Sequence, residues 1–360
     1  MYNIHSHYEN IFALANQHWP EGVVLVYPFP FGSSTVESLE WLNSGDDGPV
    51  LFCYDQEPLI PGYNDPLFDY VRDSWPNRRI ILLNTEYHSE SKNYFNDKYG
   101  FEDCYYFYHV FAAHDWFRGY QYCPDIIAPV DRKVKKKFIT FNRITGNARS
   151  YRSLHVADLK RNNLLQHGNI SYSVDCPEHG NNIKQLDWAE DTYKYDFTWA
   201  KNELKDLEEL RIDTESLSHI PNGSMVLSAV KQCMESFLFV VTETEFWTNK
   251  CHLTEKIFKP IISEMPFVLL GPPGNLLYFR SHGFKTFNDW WDESYDNIVD
   301  PVDRLLAVNK VIKDICAMPH SELESMLKDM APALKSNRQK FESQCFLNSM
   351  WDELKHNLFK

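Results

Sequence analysis

FLFVVTETEFWTNKCHLTEKIFKPIISEMPFVLLGPPG occupies residues 237–274. Its two apolar runs, 237–242 and 266–270, have strand length and are rich in β-branched and aromatic residues. Neither alternates polar with apolar, so each reads as a strand buried on both faces, as in a parallel sheet covered by helices. Between them, residues 254–264 open on Thr254, a plausible helix cap, and predict a helix. Strand, helix, strand is the unit from which parallel α/β sheets are built.

The same rhythm extends outward. Toward the C-terminus the sequence predicts helices at 274–282, 302–318 and 321–359, with breaks at Pro319 and Pro332. Upstream, a strand at 137–142, a helix at 151–167 and a strand at 170–174 are followed by a polar excursion, 177–224, with a helical piece at 199–210. A helix at 225–234 then restores the pattern. In the first third, strands at 23–27, 50–54, 79–84 and 104–108 alternate with helix-compatible segments such as 33–43 and 89–99. A proline-containing, charged linker, 124–137, separates the two α/β regions. The reading is of two open sheets, one domain at 1–130 and a second at 131–300, with C-terminal helices at 301–360 that pack back on them.

Bulk properties remove several classes. With 43% hydrophobic and 15% aromatic residues, the chain can bury a core in each domain, which argues against disorder. No apolar run is long enough for a membrane span, and the first ten residues lack a secretion signal, so the expected location is cytoplasmic (host cytoplasm if viral). The eight cysteines form no CxxC pair and read as reduced thiols, with no metal site expected. The net charge of −14 excludes a uniformly basic coat for nucleic acid. Residues 132–161 are the exception, with ten Lys/Arg against the single acid Asp158, enough for a local anion site.

Three groups carry chemistry on the C-terminal side. Thr254-Glu255-Lys256 starts the predicted helix, where backbone N–H groups and an ammonium can meet a phosphate and Glu255 can accept from ribose hydroxyls. The same tripeptide is also an ordinary capped, charged helix start. Pro260, six residues on, is expected to kink the helix. Arg143, Arg149 and Arg152 follow the strand 137–142 and suit a diphosphate, which guanidinium binds through paired N–H groups. Glu243, at the end of strand 237–242, and Asp296, beyond Trp290, Trp291 and Tyr295, are placed to contact sugar or ribose hydroxyls. There is no Asp-x-Asp to hold a divalent ion, so cations and a helix dipole are expected to stabilise a leaving phosphate without metal or other cofactor.

Thr254-Glu255-Lys256, Pro266-Phe267, Gly271, Gly283-Phe284-Lys285-Thr286-Phe287 and Asp292-Glu293-Ser294-Tyr295-Asp296, with Phe138-Ile139-Thr140-Phe141-Asn142-Arg143 upstream, resemble the donor-binding half of bacterial and viral α-1,3-fucosyltransferase-like glycosyltransferases. The matches cover about 100 residues between 138 and 296. The resemblance implies a GT-B architecture of two Rossmann-like domains facing a cleft, a nucleoside-diphosphate sugar as donor substrate, and contacts from Glu255 and Lys256 to ribose and diphosphate. The expected acceptor is a saccharide hydroxyl. Viral relatives make a hydroxymethylated pyrimidine in DNA an alternative, and a non-catalytic nucleotide- or sugar-binding module is a third reading. A nucleotide-sugar epimerase or other dinucleotide enzyme is disfavoured, because no G-x-G-x-x-G occurs.

A sugar hydroxyl is a weak nucleophile and an inverting transfer needs a general base. Two strand ends offer one: Asp55 and Glu57 in Tyr54-Asp55-Gln56-Glu57-Pro58, and Glu86 in Asn84-Thr85-Glu86-Tyr87-His88. Asp and Pro are also ordinary turn formers. A third group, His109, His114, Asp115, Trp116 and Arg118, reads either as a sugar-stacking set or as the packed face of a helix.

Overall fold

The computed structural model describes residues 3–30, 33–117, 126–176, 180–212 and 229–360. Arg118 and residues 124 and 125 of the expected linker lie outside them, as do 177–179, 213–224 and the first residues of the helix expected at 225–234.

The N-terminal part runs α1 (His7–His18), β1 (Val24–Pro28), β2 (Leu39–Asn43), β3 (Val50–Cys53), α2 (Asp65–Ser74), β4 (Ile80–Asn84), β5 (Tyr87–Ser89), α3 (Glu90–Tyr99), β6 (Glu102–Tyr105) and α4 (Tyr108–Trp116). β1, β3 and β4 fall where the apolar runs predict them, while β6 starts two residues before the run expected at 104–108 and ends at Tyr105, with Tyr108 opening α4. β2 is a correction, because 33–43 was expected to be helical. Hydrogen bonding to β1 decides it: the two strands pair antiparallel, Val24 opposite Asn43. As an edge strand β2 buries only Leu39 and leaves Trp41 exposed, so its pattern lacks the apolar run of its neighbours.

From residue 136 the chain forms β7 (Lys136–Asn142), α5 (Tyr151–Arg161), β8 (Gly168–Tyr172), β9 (Asp175–Cys176), β10 (Gly180–Asn181), α6 (Asn182–Tyr193), α7 (Thr198–Leu204), α8 (Val230–Met234), β11 (Ser236–Thr242), β12 (Lys250–Cys251), α9 (Phe258–Ile262), β13 (Phe267–Leu270), α10 (Asn275–Ser281), α11 (Pro301–Ala317), α12 (His320–Glu342) and α13 (Gln344–Leu358). α5 stops earlier than expected because Asn163 turns left-handed, at φ 56°, a conformation asparagine tolerates. The last helix breaks at Ser343, whose hydroxyl accepts from the Phe346 N–H at 3.2 Å, not at Pro332. Pro332 lies inside α12 on its exposed face, where water can satisfy the Lys328 carbonyl it leaves unbonded.

The chain divides into two compact units. Unit 1 comprises Met1–Asp115, Lys250–His252 and Ser343–Lys360; unit 2 comprises Trp116–Asn249 and Leu253–Glu342. Unit 1 holds a sheet in the order β2-β1-β3-β4-β6, parallel except for β2. One face carries Val24, Val26, Phe52, Ile80 and Leu82 against Phe68 of α2 and Phe95 of α3. The alternate residues Leu25, Leu51, Leu83 and Cys104 are equally buried, which explains strands apolar on both faces. β12 belongs here: it pairs antiparallel with β5.

Unit 2 holds a fully parallel sheet in the order β13-β11-β7-β8. Helices α5 and α11 pack on one another, while α9 packs on α12. Gly168 opens β8 directly beside Phe138 of β7, and a Cβ there would lie 2.4 Å from the ring. No other residue permits that approach.

Candidate functional site

In unit 2 the chain steps from β7 to β8 on one side and then returns to place β11 and β13 on the other. Such a reversal leaves a crevice at the carboxyl ends of the two central strands, where open α/β sheets bind ligands. Here those ends are Asn142-Arg143 of β7 and Thr242-Glu243 of β11. Arg143 is exposed and forms no hydrogen bond or ion pair with a described residue. Asn142 is fully buried and its Oδ1 has no partner, while its amide donates to Thr140 Oγ1 at 3.0 Å. Arg149 is half-buried in a 3₁₀ turn, Asn147–Arg149, that leads into α5.

Arg152 departs from its expected role. Its guanidinium is buried and donates to the carbonyls of Ile144 (2.8 Å), Thr242 (2.8 Å) and Glu243 (3.0 Å), leaving only Nε without a partner. It ties the end of β11 to the loop after β7. Strand ends shed their carbonyls from the ladder, and this arginine collects them.

Thr254, Glu255 and Lys256 return beside the end of β11, where Thr254 meets Glu243 and Lys256 meets Thr244, but the helix is shorter than predicted. Residues Glu255–Ile257 form a 3₁₀ turn and α9 adds five residues, so little macrodipole is available. Pro260 does not kink it, because it sits in the first turn of α9, where no intrahelical N–H bond is lost. The Thr254 hydroxyl donates to Glu243 at 2.5 Å and accepts from the Lys256 N–H at 3.4 Å. Glu243 is buried, which raises its pKa; the Lys256 ammonium pulls it back. Lys256 Nζ donates to Thr244 Oγ1 (3.1 Å), Thr254 Oγ1 (3.1 Å) and Glu255 Oε1 (3.0 Å). Its charge is therefore already neutralised by Glu255.

Asp296 is turned away from the sugar-binding role expected of it. Its carboxylate accepts from the backbone N–H groups of Leu276 (3.0 Å) and Leu277 (3.1 Å), capping α10. Trp290 and Trp291 pack their rings beside Phe287, at 6.2 and 5.2 Å, and Tyr295 is buried.

In unit 1 the carboxyl ends of β3 and β4 carry the three expected carboxylates. Asp55 is fully buried and accepts from the hydroxyls of Tyr8, at 2.8 Å, and Tyr106. Tyr106 also meets His7 Nε2 at 3.0 Å, and Gln56 donates to the Tyr8 oxygen at 2.6 Å. Burial pushes the Asp55 pKa up to about 6, against the opposing hydrogen bonds from Tyr106 and Tyr8. Burial alone takes His7 down to about 3, so it is neutral. Glu57, two residues on, is half-buried and has more solvent access than Asp55 or Glu86.

Glu86 is closed off. Its Oε1 accepts from the Leu59 N–H and from Lys250 Nζ, both at 2.8 Å, and Oε2 accepts from the Ser89 hydroxyl. In the third group, His109 sits edge-on to His252 at 5.5 Å between ring centres, and Asp115 is buried. α4 is buried almost all round, which favours the packing interpretation of that group. Sequence reasoning missed Lys250, Tyr8, Tyr106 and His7, which meet Glu86 and Asp55 only through the fold. No spacing pattern links positions 164 or 99 residues apart.

No model of a known protein family matches the chain, and no curated protein matches it. Among the described residues no group of three or more His, Cys, Asp or Glu is placed to hold a metal ion. No described helix is long and apolar enough to cross a membrane.

Proposed function

We propose that the chain is a glycosyltransferase that moves a sugar from a nucleoside-diphosphate donor to a saccharide hydroxyl. The observation that carries this reading is the exposed Arg143, without a hydrogen-bond or ion-pair partner among the described residues, at the β7–β11 reversal in unit 2, with Arg149 on the adjoining loop. Cleavage of a donor sugar–phosphate bond leaves negative charge on a diphosphate. Preorganised cations stabilise that charge as it develops, without a metal. Glu255 is the acceptor for ribose hydroxyls and Glu243 holds the Thr254 turn in place.

On the acceptor side Glu57 is the general base in this reading. Asp55 is fixed in the core by Tyr8 and Tyr106, and Glu86 holds the loop after Glu57 through the Leu59 N–H. The test is turnover against binding. Glu57→Gln should lose transfer to a saccharide acceptor while nucleoside-diphosphate affinity, followed by calorimetry, stays at the wild-type value. Full turnover in that variant would remove Glu57 from the mechanism.

A binding module without turnover is the second reading, favoured by the complete internal pairing of Asp55 and Glu86. Slow release of free sugar from the donor in water would exclude it. A DNA acceptor would show itself as duplex binding that weakens steeply with salt.

A further inference from the structure

Lys256 was the cation expected to meet the phosphates, yet its ammonium is held by three side-chain oxygens, one of them the carboxylate of Glu255. Three residues on, Lys259 lies one turn further along the same short helical segment, so the two side chains leave on neighbouring faces. Lys259 is half-buried and forms no hydrogen bond and no ion pair with a described residue. Its ammonium rests 5.9 Å from the centre of the Phe141 ring, on the strand that ends in Asn142 and Arg143. Burial holds its pKa below the usual lysine range; Glu255 works against that, and the nearby charges of Lys256 and Arg152 reinforce it.

A half-buried ammonium without an oxygen partner is costly, and a chain that needed only packing at this position would place an apolar residue there. Two further polar atoms at the same strand ends are buried without partners, Asn142 Oδ1 and Arg152 Nε. An acceptor and two donors are thus left unfilled around the end of β7. Lys259, beside Phe141, and Arg143, two residues further along the chain, share a face of the strand's path, which suits an anion held between two cations.

We propose that Lys259, not Lys256, is the lysine that meets the phosphates of the ligand, acting with Arg143. Lys256 instead holds the turn that presents it. The inference rests on the nucleotide-site reading of unit 2, and it specifies a phosphate-bearing ligand through a residue that no motif pointed to.

The experiment is isothermal calorimetry with inorganic pyrophosphate and with UDP and GDP, on wild type, Lys259→Met and Lys259→Arg, each also melted without ligand. Pyrophosphate affinity should fall about 10-fold or more in Lys259→Met, the value of one charge-assisted hydrogen bond. It should be largely retained in Lys259→Arg. Ligand-free Lys259→Met should melt higher than wild type, by about 2 °C, because an uncompensated charge has gone. That combination, firmer protein and weaker anion binding, is not what loss of a packing residue produces. Wild-type pyrophosphate affinity in Lys259→Met overturns the assignment and leaves the nucleotide site standing. A wild type that binds neither pyrophosphate nor either nucleotide overturns both. Lysine-dependent pyrophosphate binding in a protein that transfers no sugar sustains the phosphate site and removes only the transferase.

Discussion

The ammonium of Lys250 lies 2.8 Å from Oε1 of Glu86 and 3.0 Å from the Leu59 carbonyl, with both side chains almost completely buried. The pair fastens β12 to unit 1, although in sequence β12 falls between two elements of unit 2. Breaking a buried pair strands the surviving charge, so Lys250→Met or Glu86→Gln should each cost about 3–5 kcal/mol in urea unfolding. The double variant Glu86→Leu/Lys250→Met should recover part of that loss but not all. The Leu59 N–H, the Leu59 carbonyl and the Ser89 hydroxyl would still lack partners. Single variants as stable as wild type would show that the pair is not closed as described.

Asp55 sets a pH dependence of definite sign. Its pKa rises from 3.8 to about 6 on folding, so the folded state holds the proton more tightly. The stability it contributes is present below the unfolded pKa and is lost as pH rises through about 6. Asp55→Asn removes that loss. Relative to wild type, the variant should gain on the order of 2–3 kcal/mol between pH 4 and pH 7. A difference that does not change with pH would mean that Asp55 is already ionised throughout.

Arg143 and Arg152 should separate cleanly. Arg152→Met takes its donor from the Ile144 and Thr242 carbonyls, while the Tyr151 hydroxyl still donates to Glu243 at 2.6 Å, and should cost about 2 kcal/mol of stability. Arg143→Met touches an exposed side chain and should change stability by no more than about 0.5 kcal/mol. It should weaken UDP or GDP binding about 10-fold. Calorimetry beside thermal melts distinguishes the two roles, and the reverse pattern would exchange them.

Buried neutral histidines oppose Asp55 at low pH. Asn309 donates to Asp158 at 2.9 Å, which turns its Oδ1 toward His155 Nδ1 at 2.7 Å and so places the ring proton on Nδ1. Burial lowers the His155 pKa from 6.5 to about 4. Its stabilising contribution is present above pH 6.5 and is lost as pH falls toward 4. His155→Gln should flatten the decline of stability over that window by up to about 1.4 kcal/mol per pH unit. An equally steep decline would assign the acid sensitivity to His7 and the other buried imidazoles.

Much of the fold is legible in the chain because burial on both faces writes an unbroken apolar run. Residues 50–53, 80–84, 236–242 and 267–270 are such runs, and each forms the strand expected of it. β2 lacked that signal because an edge strand buries one residue in five. Helix ends were less legible. Whether Asn163 turns left-handed, or whether Pro332 faces water, depends on what lies against the helix.

The candidate site divides along the same line. The sequence alone determined which residues stand at strand ends: Asp55, Glu57, Glu86, Arg143 and Glu243 all do, because a strand end is a local property. It could not determine which of them keep a hydrogen-bonding atom for a ligand. Only the tertiary structure decided that Glu86 is consumed by Lys250, Arg152 by three carbonyls and Asp296 by two helix N–H groups, while Arg143 and Lys259 have no oxygen partner among the described residues. The reason is physical. A buried polar group must be satisfied by whatever the fold brings within about 3 Å, and those partners come from any distance along the chain.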